Sequence, residues 1–358
     1  MDLTYICELQ KFLNKLDMAN TDKELWLDKH LSYIPNKKLY RYRRFKEKEV
    51  NTLKNNSIWL SDPTLFLDDF DSVIPIEYIK DLPCYFEFML SFEICYTIVK
   101  KMLEEDGEMI TRTELLFLMT EMMKKYDEIG MDKMEEDVRE FLGEEVFARY
   151  NELSLKRKDY IIEFCKKESE ETLYFFERLS ISPRYTLSIA SFTTKYDNRN
   201  MWENYADNYT GFCVEYDFSK AKEFLAGEDV LHILPVEYYE ERPRFDMESL
   251  VNEYIRMKVA NQLNKDWVED FMCQYYLAIL SKQIDYRAEE EWRYIGKLEQ
   301  RGEHFFPFVN AIYIVKNMKE NNRKIIQDVA RELDVPVYIQ EVDFKNASFK
   351  YNLLDNPL

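Results

Sequence analysis

The spacing of apolar residues changes twice along this chain, and this change constrains the fold more than any single motif. Before residue 75 and after residue 185, apolar and β-branched runs typical of strands alternate with helical segments. Between them, residues 76–184 keep helical spacing and carry 26 acidic and 16 basic residues, a net charge of −10. The sequence therefore predicts a discontinuous core domain, residues 1–75 and 185–358, interrupted by an all-helical insertion over residues 76–184. The apolar core predicted for the insertion contains Leu115, Phe117, Leu118 and Met122.

The core domain is expected to be an α+β structure, with a mixed or mainly antiparallel sheet and flanking helices. Its strands and helices follow one another without regular βαβ alternation. The predicted strands cover residues 36–45, 57–62, 185–194, 211–218, 230–240, 290–298, 310–316 and 335–344. The predicted helices of this domain cover residues 5–16, 23–31, 46–56, 247–263, 267–283 and 319–333.

The motifs of several common cofactor sites are missing from the sequence. There are only seven glycines and no GxGxxG or GxxxxGK[ST] pattern, which disfavours a glycine-rich phosphate loop. The three histidines are isolated and the six cysteines are scattered without a CxxC pair, so we expect reduced thiols and no metal site. The residues left for chemistry are carboxylates, tyrosines and arginines.

The formal net charge of −19 restricts the partners of the chain. It disfavours non-specific binding to DNA or RNA and allows a basic protein partner to bind the acidic insertion. There is no run of about 18 apolar residues that would span a membrane, and the acidic N-terminus lacks the basic region of a signal peptide. We therefore expect a cytoplasmic protein without membrane contact.

The first candidate stretch is "LYRYR", from Leu39 to Arg43. On a strand, Tyr40 and Tyr42 share one face, and Arg41 and Arg43 share the other. Two interpretations stay open. The stretch is an edge strand with a solvated basic face, or one arginine enters a cleft and binds an anionic group such as a phosphate.

The second candidate stretch is "MWENYADNYTGF", a short helix or turn that Gly211 ends before the next strand. Trp202 and Tyr205 fit on one helical turn. They are core or wall residues, or they line an aromatic pocket for a planar ring.

The third candidate stretch is "EEEWR", from Glu289 to Arg293. As a strand it places Glu289, Glu291 and Arg293 on one face, opposite Trp292 and Tyr294. Two carboxylates on one face repel each other, and the arginine offsets that repulsion. The face is solvated and inert, or one of its carboxylates performs chemistry.

A fourth stretch, "LFLDDFDS", clusters Asp68, Asp69 and Asp71. It lacks the spacing and the central glycine of a calcium loop, so an acidic capped turn is favoured over a cation site.

These stretches occur in an order that resembles the bacterial domain-of-unknown-function family 2971. The matching segments are "LYRYR" (39–43), "IWLSDPTLFLDDFD" (58–71), "MWENYADNYTGFCVEYD" (201–217) and "EEEWR" (289–293). The resemblance covers residues 37–72 and 186–345. The chain departs from the family pattern at Leu67, Asp69 and Tyr209, where the family has asparagine, proline and histidine.

More remotely, the order and types of these residues are similar to the ADP-ribosyltransferase superfamily, notably its nucleic-acid-modifying toxins. That resemblance implies an NAD-using bacterial effector of the toxin or anti-phage defence type. It implies Arg41 or Tyr42 as the anchor of NAD, and Trp202 and Tyr205 as the walls of the nicotinamide pocket. Glu291 would be the catalytic carboxylate, and Glu289 would orient the acceptor.

Two other functions are left open by the sequence. One is a non-catalytic nucleotide- or protein-binding module that contacts a partner through the acidic insertion. The other is a magnesium-dependent nuclease that uses Asp68, Asp69, Asp71 and Glu291.

Overall fold

The computed structural model describes residues 3–13, 20–66, 68–80, 82, 83, 85, 158–251, 265–343 and 348–354. The chain divides into two compact units. The first unit comprises Met1–Ile76, Leu179–Phe245 and Lys265–Leu358, and the second comprises Glu77–Arg178 and Asp246–Asn264. Most of the predicted helical insertion, with its predicted core residues Leu115, Phe117, Leu118 and Met122, lies outside the described residues.

The elements below are those of the described part of the chain. The helices are α1 (Leu3–Leu13), α2 (Asn20–Leu31), α3 (Glu47–Lys54), α4 (Lys158–Thr186), α5 (Arg199–Asn204), α6 (Lys265–Ile279) and α7 (Glu320–Leu333). The strands are β1 (Lys38–Arg43), β2 (Ser57–Leu60), β3 (Ile76–Glu77), β4 (Leu187–Thr193), β5 (Phe212–Asp217), β6 (Ile233–Pro235), β7 (Glu237–Tyr239), β8 (Phe245–Asp246), β9 (Ser281–Gln283), β10 (Glu291–Lys297), β11 (Gly302–Phe305), β12 (Val309–Val315), β13 (Val337–Asp343) and β14 (Ser348–Leu353).

A mixed sheet organises the first unit. Its strand order is β14-β13-β12-β5-β1-β4-β10-β6. The pair β12/β13 is parallel, and the other six pairs of neighbouring strands in this sheet are antiparallel. Two smaller pairs, antiparallel β2/β11 and parallel β7/β9, belong to the same unit. The predicted α+β class with a mainly antiparallel sheet is confirmed.

Amphipathic spacing explains the helices that belong to this unit. In α3 the apolar Val50 and Leu53 are buried, as predicted, while its acidic first turn and basic last turn complement the helix dipole. In α7, Ile326, Val329 and Ala330 are buried at the spacing of one helical face. Each of these helices therefore turns one apolar stripe to the core.

The register of the central strands assigns every side chain to one of two sheet faces. Tyr40 pairs with Thr193, which pairs with Glu291, so these three residues stand in line across β1, β4 and β10. We call their side of the sheet the front face. Because neighbouring residues on a strand alternate, Arg41 and Trp292 lie on the back face. The prediction that Glu291 and Trp292 occupy opposite faces is confirmed.

The back face carries much of the apolar core. Leu39, Phe192, Phe212, Tyr294 and Ile312 are all almost completely inaccessible to solvent. Burying one such side chain stabilises the fold by about 1.5–3 kcal/mol. This core holds the strands of the site in register from behind.

Two local predictions about the chain before β10 are wrong. The helix predicted over residues 267–283 ends at Ile279, and Ser281–Gln283 forms β9. The strand predicted to carry Glu289 begins only at Glu291, because residues 284–289 form a 3-10 helix. Glu290 ends that helix in the left-handed conformation, with φ of 44°.

No helix within the described residues is both long and apolar enough to cross a membrane. Among the described cysteines, Cys213 and Cys273 are free thiols, in agreement with the prediction for these two residues.

Candidate functional site

A buried ion-pair network begins on β10 at Glu291 and Arg293. The guanidinium Nε of Arg293 lies 2.9 Å from Oε1 of Glu291, and its second terminal nitrogen lies 3.2 Å from Oε2. The same guanidinium donates to both carboxylate oxygens of Asp71, at 2.9 and 2.8 Å. Arg293 is 1% exposed, so its charge depends on these two carboxylates.

Lys282 extends this network to a second glutamate. Its ammonium donates to Glu291 at 3.0 Å and to Glu289 at 2.7 Å. Glu289 is the last residue of the 3-10 helix before the strand, and its carboxylate still contacts the ammonium of Lys282. The predicted proximity of the two glutamates is therefore present, although the predicted strand geometry of Glu289 is not.

Backbone and hydroxyl contacts fix both glutamates in place. The hydroxyl of Thr193 donates to the carbonyl of Glu289 at 2.7 Å. The backbone N–H of Glu291 donates to the hydroxyl of Tyr238 at 2.8 Å. Tyr238 on β7 pairs in register with Lys282 on β9. The parallel pair β7/β9 therefore places the Tyr238 hydroxyl and the Lys282 ammonium beside Glu291, the first residue of β10.

Arg242 holds the loop that carries Asp71. It donates to the carbonyls of Phe70 at 2.6 Å and Val73 at 2.8 Å, and to that of Ala278 at 2.8 Å. These bonds connect the residues flanking Asp71 with the end of α6. Asp71 is thereby brought to Arg293, a residue 222 positions later in the chain.

The network settles the charges of its members. Burial raises the pKa of Glu291, but Arg293 and Lys282 outweigh burial and lower it well below its ordinary value, so Glu291 is ionised. Burial lowers the pKa of Lys282, but Glu291 and Glu289 together raise it, so the ammonium is retained. The carboxylates Asp71, Glu289 and Glu291 share the ammonium of Lys282 and the guanidinium of Arg293, and Arg242 is a third cation beside Asp71.

Tyr205 marks the exposed end of the network. Its hydroxyl donates to Oε1 of Glu289 at 2.7 Å, and the residue is 43% exposed. Burial of the hydroxyl and the nearby Glu289 carboxylate raise the pKa of Tyr205, so it remains a neutral donor. The Glu289 side chain is 14% exposed, against 6% for Glu291. Glu289 is therefore the more accessible of the two carboxylates.

Trp202 and Tyr42 lie in the packed interior. Trp202 is 0% exposed, and its indole N–H donates to the carbonyl of Tyr196 at 2.9 Å. The Tyr42 ring meets it edge to face at 5.1 Å, and the Tyr42 hydroxyl donates to the carbonyl of Lys195. Both side chains support the sheet beneath α5, while Tyr205, three residues after Trp202, reaches the network.

Arg41 is not part of this cluster. It lies on the back face, with its guanidinium 5.5 Å from the centre of the Phe192 ring, and it donates to the carbonyl of Trp59 at 2.8 Å. The structure thus brings together Glu289, Glu291 and Tyr205, and it does not bring Arg41 to them.

Lys282 and Tyr238 were not predicted from the sequence, and Asp71 was assigned to an acidic turn or to the metal site of the nuclease hypothesis. Lys282 sits in a segment that was predicted to be helical, so its position gave no signal. An ion pair across 222 residues, such as Asp71 with Arg293, is set by tertiary packing and leaves no spacing in one sequence.

The comparison with family models finds a single segment. Residues 201–294 match the model of a protein family of unknown function, DUF2971. The match confirms, over these residues, the resemblance to domain-of-unknown-function family 2971, and the segment contains Tyr205, Lys282, Glu289 and Glu291. Comparison with curated proteins and with solved structures gave no match.

Tyr209, which replaces the family's histidine, lies in a turn beside α5. Asp207, Asn208 and Tyr209 all have left-handed backbone, with φ of 51° to 62°. The Tyr209 ring stacks near that of Trp202, at 6.4 Å, and its hydroxyl donates to the carbonyl of Arg199. Of the other two departures, Leu67 lies outside the described residues, and the side chain of Asp69 is 93% exposed.

Proposed function

We propose that the cluster around Glu289 is the active site of an ADP-ribosyltransferase-like enzyme that transfers a glycosyl group from NAD. The observation that carries this proposal is the pairing of Glu289 and Glu291 on the Lys282 ammonium, with Glu289 facing the half-exposed Tyr205. A carboxylate at a partly open site suits a reaction that develops positive charge on a sugar.

The chemistry requires one bond to break and one to form. The bond between the ribose C1′ and the nicotinamide nitrogen breaks, and its electron pair leaves with neutral nicotinamide. The acceptor nucleophile then bonds to C1′ and gives up its proton. Between these events the ribosyl centre is cationic, and the carboxylate of Glu289 would stabilise it while accepting a hydrogen bond from the 2′-hydroxyl.

The accessibility of Glu289 favours this role. Both oxygens of Glu291 accept bonds from Arg293 and Lys282, and its side chain is 6% exposed, whereas the Glu289 side chain is 14% exposed and contacts the half-exposed Tyr205. A cation that develops on the ribose would therefore be stabilised by Glu289. In this proposal Glu289 is the catalytic carboxylate, and Glu291 positions it through Lys282. This exchanges the two roles that the superfamily resemblance implies.

The test is nicotinamide release from NAD labelled in the nicotinamide ring. The wild-type chain is expected to release it in the presence of a suitable acceptor, screened among DNA, RNA and protein fractions. Glu289→Gln keeps the shape of the side chain and removes its charge, and it is expected to abolish release. Expression in bacterial cells tests the toxin or anti-phage role, since Glu289→Gln should remove any effect on growth or on phage yield.

A binding module without catalysis is the second candidate function. Two observations favour it. Both carboxylate oxygens of Glu291 already accept bonds from Lys282 and Arg293, and Arg41 lies on the back face, away from the two glutamates. Under this function Glu289→Gln leaves partner capture and cellular activity unchanged, and deletion of residues 77–178 abolishes capture.

The nuclease hypothesis has less support from the geometry. The guanidinium of Arg293 lies between Asp71 and Glu291 and pairs with both of them. Asp68 accepts the backbone N–H of Phe70, and the side chain of Asp69 is 93% exposed. These carboxylates do not converge on one position.

A further inference from the structure

Two arginines on the back face of β1 have donors without acceptors. In the described part of the chain, Nε and one terminal nitrogen of Arg41 are buried and have no hydrogen-bond partner, and one terminal nitrogen of Arg43 is in the same state. A buried guanidinium with unsatisfied N–H groups destabilises the fold. Such unsatisfied donors indicate that a ligand from outside the protein supplies the hydrogen-bond acceptor.

The charges around these arginines are unbalanced. Arg43 forms an ion pair with Glu49, at 3.2 Å between Nε and Oε2, while Arg41 has no carboxylate partner among the described residues. Lys48 adds a third cation, with its ammonium 3.2 Å from the centre of the Trp59 ring. Trp59 is also the residue whose carbonyl accepts from Arg41. Three cations thus face one carboxylate, an excess of two positive charges.

The geometry of β1 allows both guanidiniums to reach one ligand. Residues two apart on a strand point to the same face, with Cα atoms about 6.5–7 Å apart. Arg41 and Arg43 each offer N–H donors in a planar fork, which matches the oxygen atoms of a phosphate group. An excess of two charges also matches a phosphate, which carries about −1.5 to −2 near neutral pH.

We propose that Arg41, Arg43 and Lys48 form a phosphate-binding site on the back face of the sheet. The site lies on the opposite sheet face from Glu291, the member of the proposed catalytic cluster that lies on β10, so the two sites are separate. The free nitrogens of Arg41 are shielded from solvent, so phosphate must displace the side chains that cover them. The exposed Lys48, whose ammonium lies over the Trp59 ring, would then join the phosphate.

Inorganic phosphate is the probe for the test, which measures binding to the full chain by calorimetry and by thermal unfolding at constant ionic strength. Phosphate is expected to bind saturably and to raise the unfolding temperature. Arg41→Gln and Arg43→Gln should each weaken binding by about tenfold or more, since each removes a charged fork. Arg44→Gln is the matched control, because it removes one positive charge from an exposed neighbour and should leave the affinity unchanged.

Further arms of the same experiment identify the source of the phosphate. Tighter binding of AMP than of inorganic phosphate assigns the site to a nucleotide, and equal binding assigns it to free phosphate. If Arg41→Gln does not fold, Arg43→Gln and Lys48→Met decide, with the same expected loss. Glu289→Gln should keep full phosphate affinity, so failure of the catalytic proposal leaves this result intact.

Three results would overturn the phosphate site. The first is the lack of saturable binding to the wild type. The second is an equal loss of affinity in Arg44→Gln and Arg41→Gln, which would indicate general charge attraction. The third is a crystal structure grown in phosphate that shows only ordered water on the free nitrogens of Arg41.

Discussion

Arg293 donates to both carboxylate oxygens of Asp71, at 2.9 and 2.8 Å, and so joins the loop before residue 72 to strand β10. Asp71→Asn should destabilise the fold by roughly 3–5 kcal/mol, because it leaves one charge of a buried network without its partner. Urea unfolding monitored by tryptophan fluorescence measures this loss. Asp69→Asn is the control, since its side chain is 93% exposed, and it should change stability by less than about 0.5 kcal/mol. Equal effects of the two variants would contradict the structural role of Asp71.

The two glutamates of the network should respond differently to neutralisation. Glu291→Gln is expected to cost roughly 3–5 kcal/mol, because Arg293 and Lys282 both lose a buried partner. Glu289→Gln is expected to cost about 1 kcal/mol or less, since its side chain is partly exposed and Lys282 keeps Glu291. The urea midpoints of both variants provide the measurement. A larger loss for Glu289→Gln would reverse the assignment of buried and accessible carboxylates.

Acid should destabilise the wild-type fold partly through Glu291. Its pKa is lowered from 4.5 to about 2 in the folded chain, so the unfolded state binds more protons between these values. The contribution of Glu291 is present above its unfolded pKa and is lost as pH falls from about 4.5 towards 2. Unfolding free energies measured from about pH 6 to pH 3 should therefore fall more steeply for the wild type than for Glu291→Gln. Glu237→Gln, at an exposed position, should keep the wild-type slope.

The hydroxyl of Tyr205 should matter for activity more than for stability. Tyr205→Phe removes the donor to Glu289 and keeps the ring, so we expect nicotinamide release to fall by about tenfold, the loss of roughly one hydrogen bond to a charged group. The unfolding temperature should change little, because the residue is 43% exposed. Tyr185→Phe, at another exposed tyrosine, is the control. If both variants release nicotinamide at the wild-type rate, the Tyr205 hydroxyl has no part in the site.

Much of the fold could be predicted because local spacing determined it. The alternation in "LYRYR" correctly separated Tyr40 and Tyr42 from Arg41 and Arg43, and the amphipathic pattern of residues 46–56 correctly buried Val50 and Leu53. Strands β11 and β14 were not predicted. Neither strand contains a β-branched residue, and pairing with β2 and β13 rather than propensity makes them strands.

The site was less predictable than the fold for a physical reason. Period-two alternation placed Glu289 on a strand, but the left-handed residue Glu290 ends a 3-10 helix at that point. Lys282 and Asp71, which complete the network, come from different parts of the chain and meet only through tertiary packing. The alternation within β1 correctly separated Arg41 from Tyr42. That Arg41 lies on the face opposite Glu291 follows only from the order and register of β1, β4 and β10, which the sequence alone does not give.

The rate of nicotinamide release from labelled NAD, compared between the wild type and Glu289→Gln, tests the central claim most directly. We expect release by the wild type with a suitable acceptor, and a loss of at least about 100-fold in Glu289→Gln, as for removal of a group that stabilises transition-state charge. The unfolding temperature of the variant should stay within a few degrees of the wild type. Wild-type chain that releases no nicotinamide with any acceptor, or a folded Glu289→Gln variant with full activity, would contradict the claim.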